Sequence, residues 1–213
     1  MTLATKHSDR QVDHFLLRDT TWRLYRAFIE EMVDRTVRVT YLNGTMELMY
    51  PTLQQERPKK LLSQFVNSIC TDRDSKIASY GSTTYFDNDL EMGFEPDECY
   101  YIAHEARMRG KNSIDLKTDP PPDLAIEIDI SHRAIKRESI YAAMKTPEVW
   151  RYDGKTLDCL VLNDSGTYDV KEFSRSFPFL RVGELKRFMD MIPGVDENTM
   201  LRAFREWVRG INA

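Results

Sequence analysis

Residues 120–129 read Pro-Pro-Pro-Asp-Leu-Ala-Ile-Glu-Ile-Asp and predict the central strand of this protein. Because proline has no backbone N–H to donate to a ladder, a strand can begin only after Pro122. From Leu124 to Ile130, large apolar side chains alternate with small or acidic ones. Successive side chains of a strand point to opposite faces. The pattern therefore predicts one apolar face packed on a core and one face that carries carboxylates.

The carboxylate face of this predicted strand has two interpretations. Asp123, Glu127 and Asp129 fall on the same face, and like charges held close together repel one another unless a cation compensates them. Divalent-metal sites are built from such oxygen ligands. An apolar face opposite an acidic one is also typical of a half-solvated antiparallel strand. Residues 120–129 alone leave both interpretations open.

The length and composition of the chain restrict its class. The 213 residues suit one α/β domain with small extensions. A hydrophobic content of 41% with 30% charged residues is typical of a folded globular protein. The net charge of -4 and the pI of about 5.7 argue against a protein that coats nucleic acid through its overall charge. Any contact with nucleic acid is therefore expected to be local.

Cysteine usage and hydropathy predict a cytoplasmic protein. The three cysteines, Cys70, Cys99 and Cys159, form no Cys-x-x-Cys pair and lie in apolar stretches, so we expect buried, reduced thiols. No run of about 18 apolar residues occurs. We therefore expect neither a signal peptide nor a membrane span.

The residues before the central strand predict a helix, a hairpin and a second helix. Thr20 or Thr21 is positioned to cap the first helix, with Leu24, Phe28 and Met32 as its buried stripe. Asn43-Gly44 between two alternating runs indicates a β-hairpin. The predicted elements are a helix over 22–33, strands over 37–41 and 46–50, a helix over 54–71, strands over 76–80 and 99–102, an irregular segment over 81–94 and a loop over 104–119.

The residues after the central strand predict a helix, a meander of three strands and two more helices. These are a helix over 134–145, strands over 149–152, 157–163 and 168–173, and helices over 184–191 and 197–211. Together the elements predict the α/β class, with a mixed β-sheet flanked by helices. We expect one domain over 1–213, with an N-terminal helical extension over about 1–35 and a C-terminal helical tail over about 184–213.

Acidic residues at comparable places on two strands suggest a catalytic site. Asp97 stands at the start of one strand, and Glu127 and Asp129 share a face of the next. Lys136 and Arg137 follow in a helix that could fold back over that face. Phosphodiester cleavage uses a metal-activated water and cations that face the charge developing on phosphorus. An Asp followed tens of residues later by Glu-x-(Lys) is the skeleton of the PD-(D/E)xK nucleases.

Four blocks of the chain carry a closer resemblance. They are Gly81–Thr84, Glu95–Ile102, Pro121–Asp129 and a region from Ile140 to Gly154 that includes Pro-Glu-Val-Trp-Arg-Tyr-Asp-Gly. In combination they resemble a large bacterial family of restriction-endonuclease-like proteins, of the Uma-two type. The resemblance covers most of the chain from about Val37 to Leu180. It implies a restriction-endonuclease-like core similar to that of the PD-(D/E)xK nucleases.

The resemblance also implies roles for single residues. Asp97 and Glu127 match the two core acids and would ligate Mg²⁺, for which Mn²⁺ can substitute. Asp129 occupies the position where a typical member keeps lysine, and it would assist as a third ligand directly or through water. The displaced cation would come from the following helix, which offers both Lys136 and Arg137.

Glu56 is a further candidate, because related nucleases often keep an additional acid in the helix after the hairpin. An acid in a first helical turn is also ordinary complementarity to the helix dipole, and both interpretations of Glu56 stay open. Glu47, close to Glu56 in sequence, ranks below it.

These observations predict a Mg²⁺-dependent endonuclease acting on DNA, which would form a homodimer if both strands are cut. The alternative is a non-catalytic module that binds DNA or protein and retains the nuclease fold, which the departure at Asp129 favours. A carboxylate-pair hydrolase acting on sugars is a third hypothesis. Two acids at i and i+2 on one strand are closer than an inverting glycosidase pair, whose carboxyl groups lie about 6.5–9.5 Å apart.

Overall fold

The computed structural model describes residues 14–32, 35–130, 135–192 and 194–211. The strands are β1 (His14–Leu17), β2 (Arg38–Leu42), β3 (Thr45–Met49), β4 (Ala78–Ser79), β5 (Tyr85–Asp87), β6 (Met92–Phe94), β7 (Glu98–Tyr101), β8 (Leu124–Ile128), β9 (Glu148–Tyr152), β10 (Leu157–Leu162) and β11 (Tyr168–Lys171). The helices are α1 (Trp22–Glu31), α2 (Leu53–Asp72), α3 (Glu105–Met108), α4 (Arg137–Ala143), α5 (Leu185–Met189) and α6 (Glu197–Gly210), with a 3₁₀ turn at Val182–Glu184.

The first sheet is antiparallel and is built on the predicted hairpin. Its strand order is β1-β3-β2-β6-β5. Asn43 and Gly44 join β2 to β3 with φ values of 48° and 77°. Asparagine and glycine tolerate this left-handed conformation, and a two-residue hairpin connection requires it. The hairpin prediction is confirmed.

The second sheet is mixed and holds the predicted central strand. Its order is β11-β10-β9-β8-β7-β4, with β8 parallel to β9 and the other pairs antiparallel. Every residue of β8 is buried. Leu124, Ile126 and Ile128 pack in the core that α2 and α6 cover, and Ala125 packs in a second core with α4. The half-solvated interpretation of this strand is therefore wrong.

The α/β class and most of the predicted elements are confirmed, but the strands divide between two sheets where the sequence predicted one. The short strands β5 and β6 lie in the segment expected to be irregular, and β1 pairs with β3 without having been predicted. α4 begins at Arg137, whereas Ala134, the predicted start, lies outside the described residues.

The buried side of α1 differs from the prediction. Thr21 caps the helix by accepting from the backbone N–H of Leu24, as expected. Leu24 and Met32 are about half exposed, whereas Tyr25 is fully buried and stacks on Trp22. The predicted stripe is wrong at Leu24 and Met32, because the helix turns its aromatic side toward the hairpin.

The C-terminal helix is fixed to the helix after the hairpin. Asp72 at the end of α2 accepts hydrogen bonds from Arg205 and Arg209 of α6. Phe204 of α6 packs on Phe65 of α2, with ring centroids 4.3 Å apart. The apolar stripe of α6 is therefore part of the main core.

The cysteines and the helices bear on two predictions made from composition. All three cysteines are free and buried, as expected. Among the residues that the structure describes, none of the helices combines the length and the apolar character needed to cross a membrane.

Candidate functional site

Glu127 lies at the centre of the candidate site, on the face of β8 that α4 covers. Its side chain is buried, with 4% of the residue exposed. Arg137 Nη1 donates to both carboxylate oxygens, at 3.0 Å to Oε1 and 3.1 Å to Oε2. The hydroxyl of Tyr141, one helical turn further along α4, also donates to Oε1. The first turns of α4 therefore supply two groups that hold this carboxylate.

Arg137 joins the two sheets at this point. Its Nη1 donates to the backbone carbonyl of Glu95 at 2.8 Å, and its Nη2 donates to Oγ1 of Thr40 on β2 at 3.1 Å. Burial is the largest single influence and would lower the pKa of Arg137, but the charge and hydrogen bonds of Glu127 together with Tyr141 and Glu47 outweigh it, so that the pKa is raised. The guanidinium therefore stays charged and cannot take up a proton as a base.

The structure separates the roles of the two predicted cations. Arg137 reaches Glu127, whereas Lys136 is exposed at the N-cap position of α4. Nη1 of Arg137 contacts both oxygens of Glu127. This arginine therefore pairs with the carboxylate beside which a Glu-x-Lys motif would place its lysine. Lys136 lines the mouth of the cavity next to the site.

Asp97 comes from the adjacent edge of β7 and faces the end of β8. It is 1% exposed, and its Oδ2 accepts from the backbone N–H of Ile128 at 2.6 Å. Its Oδ1 forms an ion pair with Nη1 of Arg38. A backbone donor of β8 and the guanidinium of Arg38 thus hold the carboxylate close to the strand that carries Glu127.

Glu56 is linked to Asp97 through Arg38. Nη2 of Arg38 donates to Oε1 of Glu56 at 2.9 Å, so one guanidinium contacts both carboxylates. Lys59 lies one turn further along α2 and places Nζ 3.0 Å from Oε2 of Glu56. Glu56 and Asp97, both predicted site residues, are therefore linked through Arg38 of the hairpin.

The hairpin contributes a buried polar face of which sequence reasoning singled out only Glu47. Arg38 and Thr40 share one face of β2, and Glu47 lies opposite Thr40 in the register with β3. All three are buried. In the sequence these polar residues alternate with apolar ones, and that pattern by itself is typical of a solvent-exposed strand face. The second sheet and α4 cover this face and turn it into one wall of the site.

The acidic face of β8 is divided between the site and a loop anchor. Asp129 lines the same cavity as Glu127. Asp123, at the other end of the strand, accepts from the backbone N–H groups of Ile102 and His104 at 2.7 and 3.0 Å. Asp123 therefore anchors the loop before α3 and stands apart from the candidate site.

The donor atoms suit a hard divalent cation, although no complete ligand group is formed. Asp97 and Glu127 offer only carboxylate oxygens, and Mg²⁺ is commonly held by one or two carboxylates together with substrate phosphates. Within the described ranges, no three His, Cys, Asp or Glu side chains form a group able to hold a metal ion. The metal roles of Asp97, Glu127 and Asp129 remain a prediction, and both principal acids are also paired with arginines.

Comparison with known proteins gives the family. Residues 10–188 match the model of the Uma2 family, whose description reads "Putative restriction endonuclease". The chain belongs to the Uma2 family. The family of this Uma2 protein points to a nuclease-type function. No curated protein matches the chain.

One solved structure similar to this Uma2 protein is the "putative nuclease belonging to DUF820" from Anabaena variabilis ATCC 29413. The two chains are 13% identical, and the TM-score is 0.47. The match covers 80% of this chain and 90% of the other.

Proposed function

We propose that this Uma2 protein is a Mg²⁺-dependent endonuclease that hydrolyses phosphodiester bonds of DNA, with Mn²⁺ able to substitute. The observation that carries the proposal is the buried carboxylate of Glu127, held by Arg137 and Tyr141 beside Asp97. Burying charges without solvent carries a large desolvation cost. Such a cluster is more typical of a functional site than of a stabilising core.

Asp97 and Glu127 would hold the metal, and Asp129 would complete its surroundings directly or through water. When bound, the metal would supply Lewis acidity toward a phosphoryl oxygen and a water of lowered pKa. Asp97 is fixed by the backbone of Ile128, so its orientation is set by the strand itself. Tyr141 fixes the orientation of Glu127 in the same way from α4.

Arg137 would stabilise charge in this proposal. The guanidinium lies against Glu127 and remains protonated, so it can face the negative charge that builds on phosphorus. Lys136, exposed at the start of α4, would contact a substrate phosphate. Glu56 would act through Arg38, which it shares with Asp97, and is therefore a positioning residue.

A non-catalytic DNA- or protein-binding module is the second candidate. The specific observation in its favour is that Arg137 engages both oxygens of Glu127, so the charge of this carboxylate is already compensated. Asp129 at the usual lysine position points the same way. In this case the carboxylates and arginines would tie α4 and the hairpin to the second sheet and would have no role in catalysis.

The thermal stability of the purified protein with and without millimolar Mn²⁺ distinguishes these two candidates. A ligand that binds only the folded state at one hundred times its Kd stabilises it by about 2.7 kcal/mol. We expect Mn²⁺ to raise the Tm of the wild type but not of Glu127→Gln. Glu31→Gln, at the exposed end of α1, is the matched control and should respond like the wild type.

Cleavage of plasmid DNA in Mg²⁺, with EDTA as the blank, then tests the reaction itself. A Tm shift with cleavage supports the nuclease, and a wild type that neither shifts nor cleaves supports the binding module. The proposal includes a cytoplasmic location. It also includes a homodimer, because cutting both strands of a duplex requires two sites. Light scattering of the purified protein tests the dimer.

A further inference from the structure

A cavity of about 490 Å³ opens beside the candidate site, between α4 and the face of β8, β9 and β10 that α4 covers. Its floor is apolar and includes Val149 and Leu160. Glu127 and Asp129 form its acidic wall, and Lys136 stands at its mouth. Cavities of roughly 300–1,000 Å³ are the size that encloses a small organic ligand, which includes a single nucleotide.

The groups proposed for catalysis are almost completely buried. Asp97 is 1% exposed, Glu127 4% and Arg137 5%. Arg151 of β9 donates to Glu138 of α4 at 2.6 Å, so the helix is tied down over the cavity. The phosphates of a duplex lie on its outside and its bases are stacked inside, so a base can occupy this cavity only if its nucleotide leaves the stack.

A second, smaller cavity continues the path from the mouth of the first. It has a volume of about 260 Å³ and shares Ile135, Lys136 and Ser139 with the larger cavity. It extends to Arg18 and to the hairpin turn at Asn43. The shared mouth thus leads from an apolar cavity to a polar groove with two cations, Lys136 and Arg18. Sites that bind single-stranded nucleic acid combine a surface that contacts the bases with cations that contact the phosphates.

We infer that the cavity lined by Val149, Leu160 and Glu127 binds one unstacked nucleotide of single-stranded DNA, with the next phosphates at Lys136 and Arg18. The base would lie on the apolar floor, and the strand would leave through the groove that both cavities share. This inference rests on the proposed function only in taking Glu127 as the reacting end of the cavity. It identifies the substrate as single-stranded, or as duplex DNA from which a nucleotide is flipped out.

Binding of labelled oligo(dT) in EDTA, measured by fluorescence anisotropy, tests the inference without catalysis. We expect oligo(dT) to bind at least about tenfold more tightly than the oligo(dA)·oligo(dT) duplex of equal length at the same salt, since the single strand avoids the cost of unstacking. Thymidine monophosphate should compete with oligo(dT). Lys136→Ala should weaken oligo(dT) binding several-fold. Lys171→Ala should leave it unchanged, because Lys171 is exposed and pairs in register with Cys159, which faces the side of the sheet opposite the cavity.

A variant that fills the cavity with a larger side chain tests the inference more directly than the lysine variants do. Leu160→Phe should abolish competition by thymidine monophosphate while the protein still melts cooperatively. If that variant does not fold, the Lys136→Ala and Lys171→Ala pair decides. Duplex binding as tight as single-strand binding, equal effects of the two lysine variants, or unchanged competition in folded Leu160→Phe would each overturn the inference.

Binding and cleavage measured on the same proteins distinguish this inference from the proposed function. Single-strand preference without cleavage in Mn²⁺ would support the nucleotide site and count against the nuclease. Cleavage of a relaxed duplex as fast as of single-stranded circles would support the nuclease and overturn the single-strand inference.

Discussion

The guanidinium of Arg137 lies 3.0 and 3.1 Å, through a single nitrogen, from the two carboxylate oxygens of Glu127. Both residues are almost fully buried, so water contributes little to balancing either charge. The pair also joins three elements, because Arg137 begins α4, Glu127 lies on β8 and the second terminal nitrogen of Arg137 reaches Thr40 on β2. The position of α4 over the second sheet therefore depends on this ion pair.

Breaking this pair from one side should be costly. We expect Arg137→Ala to lower the free energy of unfolding by about 3–5 kcal/mol, because it removes the main cation beside a buried carboxylate. The double variant Glu127→Leu with Arg137→Met should recover most of that loss, since apolar groups of similar volume often replace a buried pair without cost. Urea denaturation measures both effects.

Lys117→Ala is the control for the buried pair, because Lys117 and Asp89 form an ion pair between exposed side chains. Exposed pairs of this kind contribute about 0–1 kcal/mol. A loss below 1 kcal/mol for Arg137→Ala would contradict the view that this pair holds α4 in place.

Arg38 should matter to two carboxylates at once. Its guanidinium pairs with Asp97 and donates to Glu56. We expect Arg38→Ala to lower the free energy of unfolding by roughly 3 kcal/mol and Arg38→Lys to recover only part of it, because one ammonium cannot span both acids as a planar guanidinium does. Denaturant melts of the two variants give the comparison. Equal stabilities of Arg38→Lys and wild type would show that charge alone is sufficient.

Tyr141 should affect activity more than its neighbours in the same core. Burial, followed by the charge of Glu127, raises the pKa of Tyr141 well above its usual range, so the hydroxyl stays a donor at any working pH. We expect Tyr141→Phe to reduce the rate of DNA cleavage by about 10- to 100-fold, as loss of a group that orients a metal-ligating side chain does. The alkaline side of the pH–rate profile should not move.

Tyr85→Phe is the matched control for Tyr141, because Tyr85 is buried in the same cluster and its hydroxyl contacts Cys99 and Tyr101 away from Glu127. It should change stability but leave the cleavage rate within about twofold, because it touches no group that orients the site. A similar loss of rate in both variants would indicate a general packing effect.

Asp72 gives a prediction of how stability depends on pH. Hydrogen bonds from Arg205, and then from Arg209, lower the pKa of Asp72 to about 2, against an ordinary value of 3.8. A carboxyl whose pKa is lower in the folded state stabilises the fold above its unfolded pKa, and this contribution disappears as the pH falls through the folded pKa. The contribution is therefore complete above about pH 4 and lost between about pH 4 and 2.

The test compares the wild type with Asp72→Asn. At neutral pH we expect the variant to be less stable by about 1 kcal/mol, a modest value because both arginines are about half exposed. Unfolding free energies measured from pH 5 to 2 should converge as the pH approaches 2. A difference that stays constant over this range would mean that charge is not what Asp72 contributes.

Gly93 on β6 allows the close approach of Tyr25. An added Cβ at Gly93 would overlap the Tyr25 ring, including its hydroxyl oxygen, and Tyr25 is fully buried. We expect Gly93→Ala to lower the free energy of unfolding by about 1–3 kcal/mol through overpacking. Gly210→Ala, near the end of α6 with open space around it, should be neutral or slightly stabilising. Thermal melts that rank the two variants in the opposite order would contradict this account.

The local elements of this fold could be predicted from the sequence because their signals are local. Asn43-Gly44 predicted the hairpin since only residues that tolerate a positive φ fit its turn. Pro120–Pro122 and the alternation after them predicted β8. The strands β1, β5 and β6 have three or four residues each, which is too short to show a period.

The candidate site was predicted only in part. The resemblance picked out Asp97 and Glu127. The structure places Glu127 on β8 beside Arg137, and Asp97 directly before the neighbouring strand β7 beside Arg38. Nothing in the pattern of β2 distinguished Arg38 and Thr40 from an ordinary solvated face. Their burial arises because a second sheet and α4 cover the hairpin, and α4 belongs to a part of the chain about 100 residues away.

The longer strands and helices follow from local sequence, because backbone preferences and hydrophobic periodicity act over a few residues. Which polar faces are buried, and so which cation pairs with which acid, depends on how the two sheets and α4 pack together. Lys136 and Arg137 were both candidates in the sequence, and packing turns the side chain of Arg137 inward and leaves Lys136 in solvent. The strength of a charge pair depends on the dielectric around it, and only the packed structure sets that dielectric.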